Sequence, residues 1–169
     1  MALARMLRSL ERDEDGSALV EGAVVFPLLL LVLFGVYEFS WFFYQQHVVS
    51  TGLRDAARYV ARATRVCGPA APGWGVIETN ARNLATSGTI FGGAERVHGW
   101  TPMMVTLTCS EVDNAPDRNG TQPYRGGPLI AVITASTRFS DPSLGFFGIL
   151  GLSPPTLAAS HSERVIGPG

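Results

Sequence analysis

A long apolar block near the N-terminus limits what this chain can fold into. Between Gly22 and Tyr44 the only charged residue is Glu38. As an α-helix this block would extend roughly 34 Å, enough to cross a hydrocarbon core of about 30 Å. The block therefore predicts a membrane-spanning helix, and a lipid bilayer is the first expected partner of the chain.

The far end of the block carries aromatic residues, which favour the boundary between lipid and water. They include Tyr37, Trp41, Phe42, Phe43 and Tyr44. A secretory signal is the alternative, but such a signal has a basic leader, a short apolar stretch and a small-residue cleavage site. Here the leader mixes arginines with acidic residues, and no such site follows the long apolar run. The pattern favours a retained anchor.

Glu21 lies at the start of the apolar helix, where a carboxylate near lipid is costly. In one interpretation Asp15 or Ser17 caps the helix, and Glu21 complements the positive end of its dipole. In the other, the chain is cut between Gly16 and Ser17, and Ser17 acquires an ammonium group one helical turn from Glu21. The two charges would then neutralise each other within one chain or between neighbours.

The stretch that begins at Gly16, "GSALVEGAVVFPLLLLVLFGVYEF", resembles the processing site and apolar helix of type IV prepilins. More narrowly, it resembles the TadE-like pseudopilins of tight-adherence (Tad) pilus systems. The matching residues are Gly16, Val20, Glu21, Pro27, the leucine run, Gly35 and Glu38. The resemblance extends over residues 16–65, is looser over 129–166 and is weak between them.

This resemblance implies cleavage between Gly16 and Ser17 by a membrane-embedded aspartyl prepilin peptidase. It also implies two further kinds of partner, which are other pilin-like subunits and the inner-membrane assembly platform of the pilus. The expected function is that of a pseudopilin-like accessory subunit for an adhesive pilus or secretion apparatus. The alternative is an uncleaved single-pass membrane protein with an extracytoplasmic binding or adhesin domain.

Cys67 and Cys109 both follow the apolar block, which suits one disulfide in an oxidising compartment. Together with the larger C-terminal segment, they favour a cytoplasmic N-terminus and an extracytoplasmic C-terminal domain. The resemblance to the TadE-like family implies that the membrane is the inner membrane. Arginines flank the block on both sides, so the positive-inside rule does not decide the orientation. A net charge of −1 gives no indication of nucleic-acid binding.

The rest of the chain predicts an α+β fold, in which the long N-terminal helix is followed by one short helix and a small antiparallel sheet. Residues 45–66 continue the helix as an amphipathic segment. An arginine stripe forms one side of that segment, and Leu53, Ala57 and Val60 form another. Asp55 is placed to pair with Arg58 or Tyr59 at the next turn.

The remaining elements follow from periodicity. A short helix is predicted over 75–87, and strands over 101–111, 129–139 and 156–166. Four segments are therefore expected: a leader (1–16), a transmembrane helix (17–44), its amphipathic continuation (45–66) and an extracytoplasmic domain (67–169). Pro27 is expected to kink the helix unless its neighbours absorb the defect. The apolar loop at 145–151 predicts either packing beneath the sheet or a docking tip.

Motifs for catalysis are absent from the sequence, including G-x-S-x-G, H-E-x-x-H, the P-loop and the dinucleotide fingerprint. The oxygen-bearing residues Asp113, Asp117 and Asn119 miss the EF-hand spacing and its closing glutamate, which favours a solvated turn. We therefore expect that the protein is not an enzyme and that it binds no metal and no cofactor. A membrane-tethered hydrolase remains an alternative, and it would require a pocket that joins His98 or His161 to an acid.

Overall fold

The computed structural model describes residues 14–141, 145–149 and 151–167, so most of the expected leader lies outside the described residues. The α-helices are α1 (Glu14–Ala63), α2 (Trp74–Ser87) and the short α3 (Gly145–Ile149), and the strands are β1 (Val105–Asp113), β2 (Leu129–Ser140) and β3 (Thr156–Arg164). This is the α+β arrangement that the sequence predicts. By its contacts the chain divides into two compact units, residues 1–40 and 41–169, and α1 contributes to both.

The three strands form one antiparallel sheet in the order β1-β2-β3. The inward positions of the central strand include Ile133, Ala135 and Phe139, all of them buried. β1 begins at Val105, later than the predicted start at 101, because Pro102 opens a 3-10 turn over Pro102–Met104. Proline has no backbone N–H to donate to a sheet ladder, so the segment turns before it pairs.

The second half of α1 forms a wall of the core in the 41–169 unit. Val49, Leu53, Ala57 and Val60 recur at helical spacing and are fully buried. The arginines on the other side of the helix are exposed, namely Arg54, Arg58 and Arg62. The predicted amphipathic continuation of the helix is thus confirmed by the burial of its two sides.

The helix ends at Ala63, three residues before the end of the continuation predicted over 45–66. In a continued helix the N–H of Arg65 would donate to the carbonyl of Ala61. This carbonyl instead accepts the N–H groups of Ile166 and Gly167 at 2.9 Å each. The segment after β3 therefore satisfies a terminal carbonyl that the helix itself leaves open.

Trp100 lies at the centre of the core and is fully buried. Its Nε1 donates to Thr137 Oγ1 at 3.1 Å, and its ring stacks on Phe139 with centroids 6.1 Å apart. On its other side the indole meets Gly52 of α1. A Cβ at Gly52 would lie 2.8 Å from Trp100 Cη2 and would also collide with the carbonyl oxygen of Ala85. Only glycine allows the helix, α2 and the indole to approach this closely.

A disulfide links the segment after α1 to β1. Cys67 and Cys109 are joined with their Cα atoms 5.7 Å apart, and they are separated by 42 positions in the sequence. The bond encloses α2 and the loop that carries Trp100, so it ties the small helix and the sheet to the end of α1.

Replacing Gly52 with alanine is expected to destabilise the 41–169 unit. Overpacking a core costs typically about 1–3 kcal/mol, more than the roughly 1 kcal/mol that alanine gains over glycine in a helix. Gly75→Ala in α2 is the matched control, since a Cβ there meets nothing within 4 Å. Thermal unfolding of the full chain in detergent, followed by circular dichroism, should show a lower Tm for Gly52→Ala and an unchanged or higher one for Gly75→Ala. An equal or higher Tm for Gly52→Ala would contradict the close packing.

Thiol labelling tests the link between Cys67 and Cys109. Denatured but unreduced protein, extracted from membranes, should contain no thiol that reacts with a maleimide. The double variant Cys67→Ser/Cys109→Ser should unfold more easily, by up to about 4 kcal/mol in the chain-entropy model for a loop of this length. Two labelled thiols in the native chain would reject the bond and weaken the case for an oxidising compartment.

Candidate membrane anchor and processing site

The first half of α1 exposes an apolar surface on all sides. Its aliphatic residues are largely exposed even at neighbouring positions, for example Leu28 (66 %), Leu31 (51 %) and Leu33 (60 %). Successive helical side chains point about 100° apart, so this exposure surrounds the helix. The segment Ala18–Ala63 is long and apolar enough to cross a membrane, by length and composition. An apolar helix of this kind is stable in lipid and would be a liability in water.

The expected processing residues lie in the first turns of this helix. α1 begins at Glu14, so the bond between Gly16 and Ser17 falls within its first turn. Terminal turns of helices open at little cost in free energy. Ser17 and Glu21 are one turn apart, about 6 Å along the axis. Glu21 is exposed, so its carboxylate is available to a cation from the same chain or from a neighbour.

Pro27 and Glu38 are the two irregular features predicted for the span. α1 continues as one helix through Pro27, although the ring removes the N–H that would bond to the carbonyl of Ala23. Glu38 is only 8 % exposed, whereas its neighbours Tyr37 and Phe39 are 67 % and 49 % exposed. The single carboxylate of the apolar block is therefore shielded, which sequence periodicity alone does not reveal.

Three exposed aromatic residues at the start of the 41–169 unit form what we call the aromatic collar: Trp41, Phe43 and Tyr44. Their exposed fractions are 43 %, 65 % and 58 %. Trp41 stacks on Tyr44 with centroids 5.4 Å apart. Exposed tryptophan and tyrosine at the end of an apolar helix are typical of the membrane interface.

Two glutamines directly after the collar hold the connection between β2 and β3. The buried Gln45 donates through Nε2 to Oδ2 of the fully buried Asp141, which follows β2. Gln46 donates through Nε2 to the carbonyl of Ala158 in β3 at 2.6 Å. Sequence reasoning missed these bonds, and the only available signal was a polar pair that interrupts an apolar run.

The arginine stripe of α1 is joined to β3 by a small ionic cluster. Arg58 Nε lies 3.2 Å from Glu163 Oε1, and His161 Nε2 lies 3.0 Å from the same oxygen. The hydrogen bond with His161, aided by the one from Arg58, holds the pKa of the Glu163 carboxyl below its usual range. Asp55 does not form the expected ion pair with Arg58. It pairs instead with Arg96 at 3.3 Å, because the fold brings the loop after α2 against the helix.

Both histidines that the hydrolase alternative requires do lie near an acid. His161 contacts Glu163, and Nδ1 of His98 lies 3.8 Å from Oδ1 of Asp141. Neither histidine lines two of the clefts on the 41–169 unit, which measure about 600 and 640 Å³. Glu163 is shared with Arg58, and Asp141 is engaged by Gln45. These pairs therefore favour a role in holding the fold over a role in catalysis.

The acidic loop between β1 and β2 uses its carboxylates on its own backbone. Asp113 Oδ1 accepts the N–H of Ala115 at 2.9 Å, and Asp117 Oδ1 accepts those of Asn119 and Thr121 at 2.8 Å each. Such bonds from an aspartate to the backbone two residues on are typical of turns. The structure thus has the turn that the sequence favours at these positions.

Comparison with known proteins gives one family match. Residues 16–58 match the model of the family described as TadE-like protein. No curated protein and no solved structure matches the chain. The matched range starts at Gly16, contains Glu21, Pro27 and Glu38, and ends within the second half of α1, so the looser resemblance over 129–166 lies outside it. The match confirms the resemblance found in the sequence: over residues 16–58, the greater part of α1, the chain is similar to TadE-like proteins.

Proposed function

We propose that this chain is a pseudopilin-like accessory subunit, anchored in the inner membrane, of a Tad-type pilus or secretion apparatus. The observation that carries the proposal is the exposed apolar helix whose sequence matches the TadE-like family from Gly16 onward. The family suggests a membrane protein associated with the Tad pilus. The function is then structural, since the helix and the 41–169 unit would act by contact with other subunits.

Processing by a prepilin peptidase is the first part of the proposal. The chain would be cut between Gly16 and Ser17, which lie in the first turn of α1. Glycine before the cut supports this position, because it offers no Cβ to obstruct an approaching protease. The leader removed in this way carries most of the acidic and basic residues that precede the apolar block.

The orientation is the second part. The 41–169 unit would lie on the extracytoplasmic side, where its Cys67–Cys109 disulfide can form and persist. The apolar half of α1 would then cross the inner membrane once, with its N-terminus on the cytoplasmic side where the leader is cut.

Glu21 has a specific task in this proposal. Once the chain is cut, the ammonium group of Ser17 and the exposed carboxylate of Glu21 lie one turn apart at the end of an apolar helix. An ion pair in a medium of low polarity is better supported as a device for registry than as a source of stability. Pairing between neighbouring chains would align their helices at a defined height in the membrane.

The mature N-terminus tests the processing step. In cells that contain a prepilin peptidase, mass spectrometry of the membrane-extracted protein should find Ser17 as the first residue. Gly16→Leu should block the cut, because a branched side chain now occupies the approach to the bond. Gly22→Leu is the control, since it adds the same side chain beyond the cut, where a Cβ meets nothing within 4 Å. A chain that still begins at Met1 or Ala2 would favour the uncleaved anchor with a binding domain.

The registry role of Glu21 is tested by comparing Glu21→Gln with Asp15→Asn. Both changes remove one carboxylate near the cut, but Asp15 leaves with the leader, so Asp15→Asn yields an unchanged mature protein. Glu21→Gln should reduce co-purification with the other pilin-like subunits about fivefold, as expected for a lost ion pair worth about 1 kcal/mol. Asp15→Asn should not. Wild-type assembly of a fully processed Glu21→Gln variant would show that Glu21 is only a helix-end charge.

A further inference from the structure

We propose that a cleft at one end of the sheet binds a phosphorylated sugar, with its arginines on the phosphate and its glutamate on the sugar hydroxyls. The cleft measures about 600 Å³, which lies within the range of small-molecule sites. Its walls come from the segment after α1, from β1, from the loop before β2 and from the end of β3. All of them belong to the 41–169 unit and lie outside the residues 16–58 that match the family model.

The charged side chains that line the cleft are three arginines and one glutamate, namely Arg65, Arg125, Arg164 and Glu111. Together they leave two net positive charges, and a concave site concentrates the field of such charges. A phosphate monoester carries a charge of about −1.5 to −2 at neutral pH and three strong acceptor oxygens. Guanidinium groups bind such oxygens through pairs of parallel N–H bonds. The charge of the cleft therefore matches that of a phosphate group.

The loop that carries Arg125 is held on both sides of this residue by Asn114, whose side chain is fully buried. Asn114 Nδ2 donates to the carbonyl of Tyr124 at 2.9 Å and to that of Gly127 at 2.8 Å. Its Oδ1 accepts the N–H of Tyr124 at 2.9 Å. The backbone at Arg125 is therefore fixed before any ligand arrives, which lowers the entropy cost of binding.

Arg164 and Arg65 are positioned by the end of β3 and the segment that follows it. Arg164 is the last residue of β3, and the N–H of the next residue, Val165, donates to the carbonyl of Ala131 at 2.9 Å. A Cβ at Gly167 would collide with Cγ of Arg65, so the backbone of Gly167 packs directly against this arginine. The three arginines therefore line the cleft from positions that separate contacts fix.

The charges of Arg125 and Arg164 are not neutralised within the described part of the chain, where neither residue forms an ion pair. Glu111 forms no ion pair with the described residues either. Its carboxylate repels a second anion but accepts hydrogen bonds from hydroxyl groups. A ligand with both a phosphate and neighbouring hydroxyls therefore suits the whole cleft, whereas inorganic phosphate suits only the arginines.

The lining also indicates which kind of molecule carries the phosphate. Among the described residues, no aromatic side chain lines the cleft. Single-stranded nucleic acids and protein partners both rely on aromatic rings, for stacking of bases or as anchors of an interface. A sugar instead needs a hydrogen-bonding partner for its hydroxyls, which Glu111 supplies. The cleft therefore favours a sugar over a nucleobase or a protein segment.

Binding of glucose 6-phosphate to the full chain in a neutral detergent tests the proposal. Isothermal titration should show saturable binding with a lower dissociation constant than for inorganic phosphate, and no measurable binding of glucose. Arg125→Gln should raise the dissociation constant about tenfold, as expected when a charge-assisted hydrogen bond is lost. Arg118→Gln is the matched control and should bind as the native chain does, since Arg118 is an exposed arginine of the same loop that does not line the cleft.

Glu111→Ala separates the two parts of the site. Removing the carboxylate should strengthen the binding of inorganic phosphate, because a repelling charge is gone. It should also reduce the preference for glucose 6-phosphate over phosphate, because the partner of the hydroxyls is gone. An unchanged preference in this variant would overturn the assignment of the sugar.

Free sugar phosphates and the headgroups of glycolipids share this chemistry, and lipid A in detergent micelles distinguishes the two sources. Binding of lipid A that glucose 6-phosphate displaces, and that Arg125→Gln weakens, would assign the site to a headgroup. Binding of glucose 6-phosphate without such competition would assign it to a free sugar phosphate. Absence of saturable binding of glucose 6-phosphate, or equal binding by Arg125→Gln, would overturn the proposal. Equally tight binding of a glutamate-rich peptide would also overturn it, in favour of an acidic protein segment.

Discussion

The exposed apolar surface of the first half of α1 is the constraint on which the rest of this structure depends. Leu28, Leu31 and Leu33 point in different directions, and more than half of each side chain is exposed. A surface that surrounds the helix is not covered by folding one sheet or helix against one side of it. It requires a surrounding apolar medium, and a lipid bilayer supplies this at the thickness that such a helix spans.

The same helix becomes a core element once it enters the 41–169 unit. In this half Val49 and Leu53 are buried, unlike the exposed side chains of the first half, and Gly52 lets Trp100 approach the helix backbone. The two carboxylates in the first half of α1, Glu21 and Glu38, also differ in exposure. Glu21 is exposed at the end where the proposed cut would create a cation, whereas Glu38 is shielded near the other end.

The parts of the fold that could be predicted are those with a periodic or compositional pattern in the sequence. The apolar block, the amphipathic face of Leu53, Ala57 and Val60, and the three strands all follow from local patterns. The unpredicted part is made of contacts between distant residues, such as Gln45 with Asp141 and the acceptance of Ile166 N–H by Ala61, which ends α1 early. The candidate processing site was recognisable because its residues are contiguous. The burial of Glu38 was not, because it leaves no local trace in the sequence.

The orientation of the chain across the membrane tests the account most directly. Asn119→Cys places one free thiol in the exposed loop between β1 and β2, within the 41–169 unit. In intact spheroplasts, a membrane-impermeant maleimide should label this thiol, and the labelled chain should stay with the membrane after an alkaline wash. Labelling only after lysis, or release of the chain by the wash, would contradict a single span with an extracytoplasmic domain.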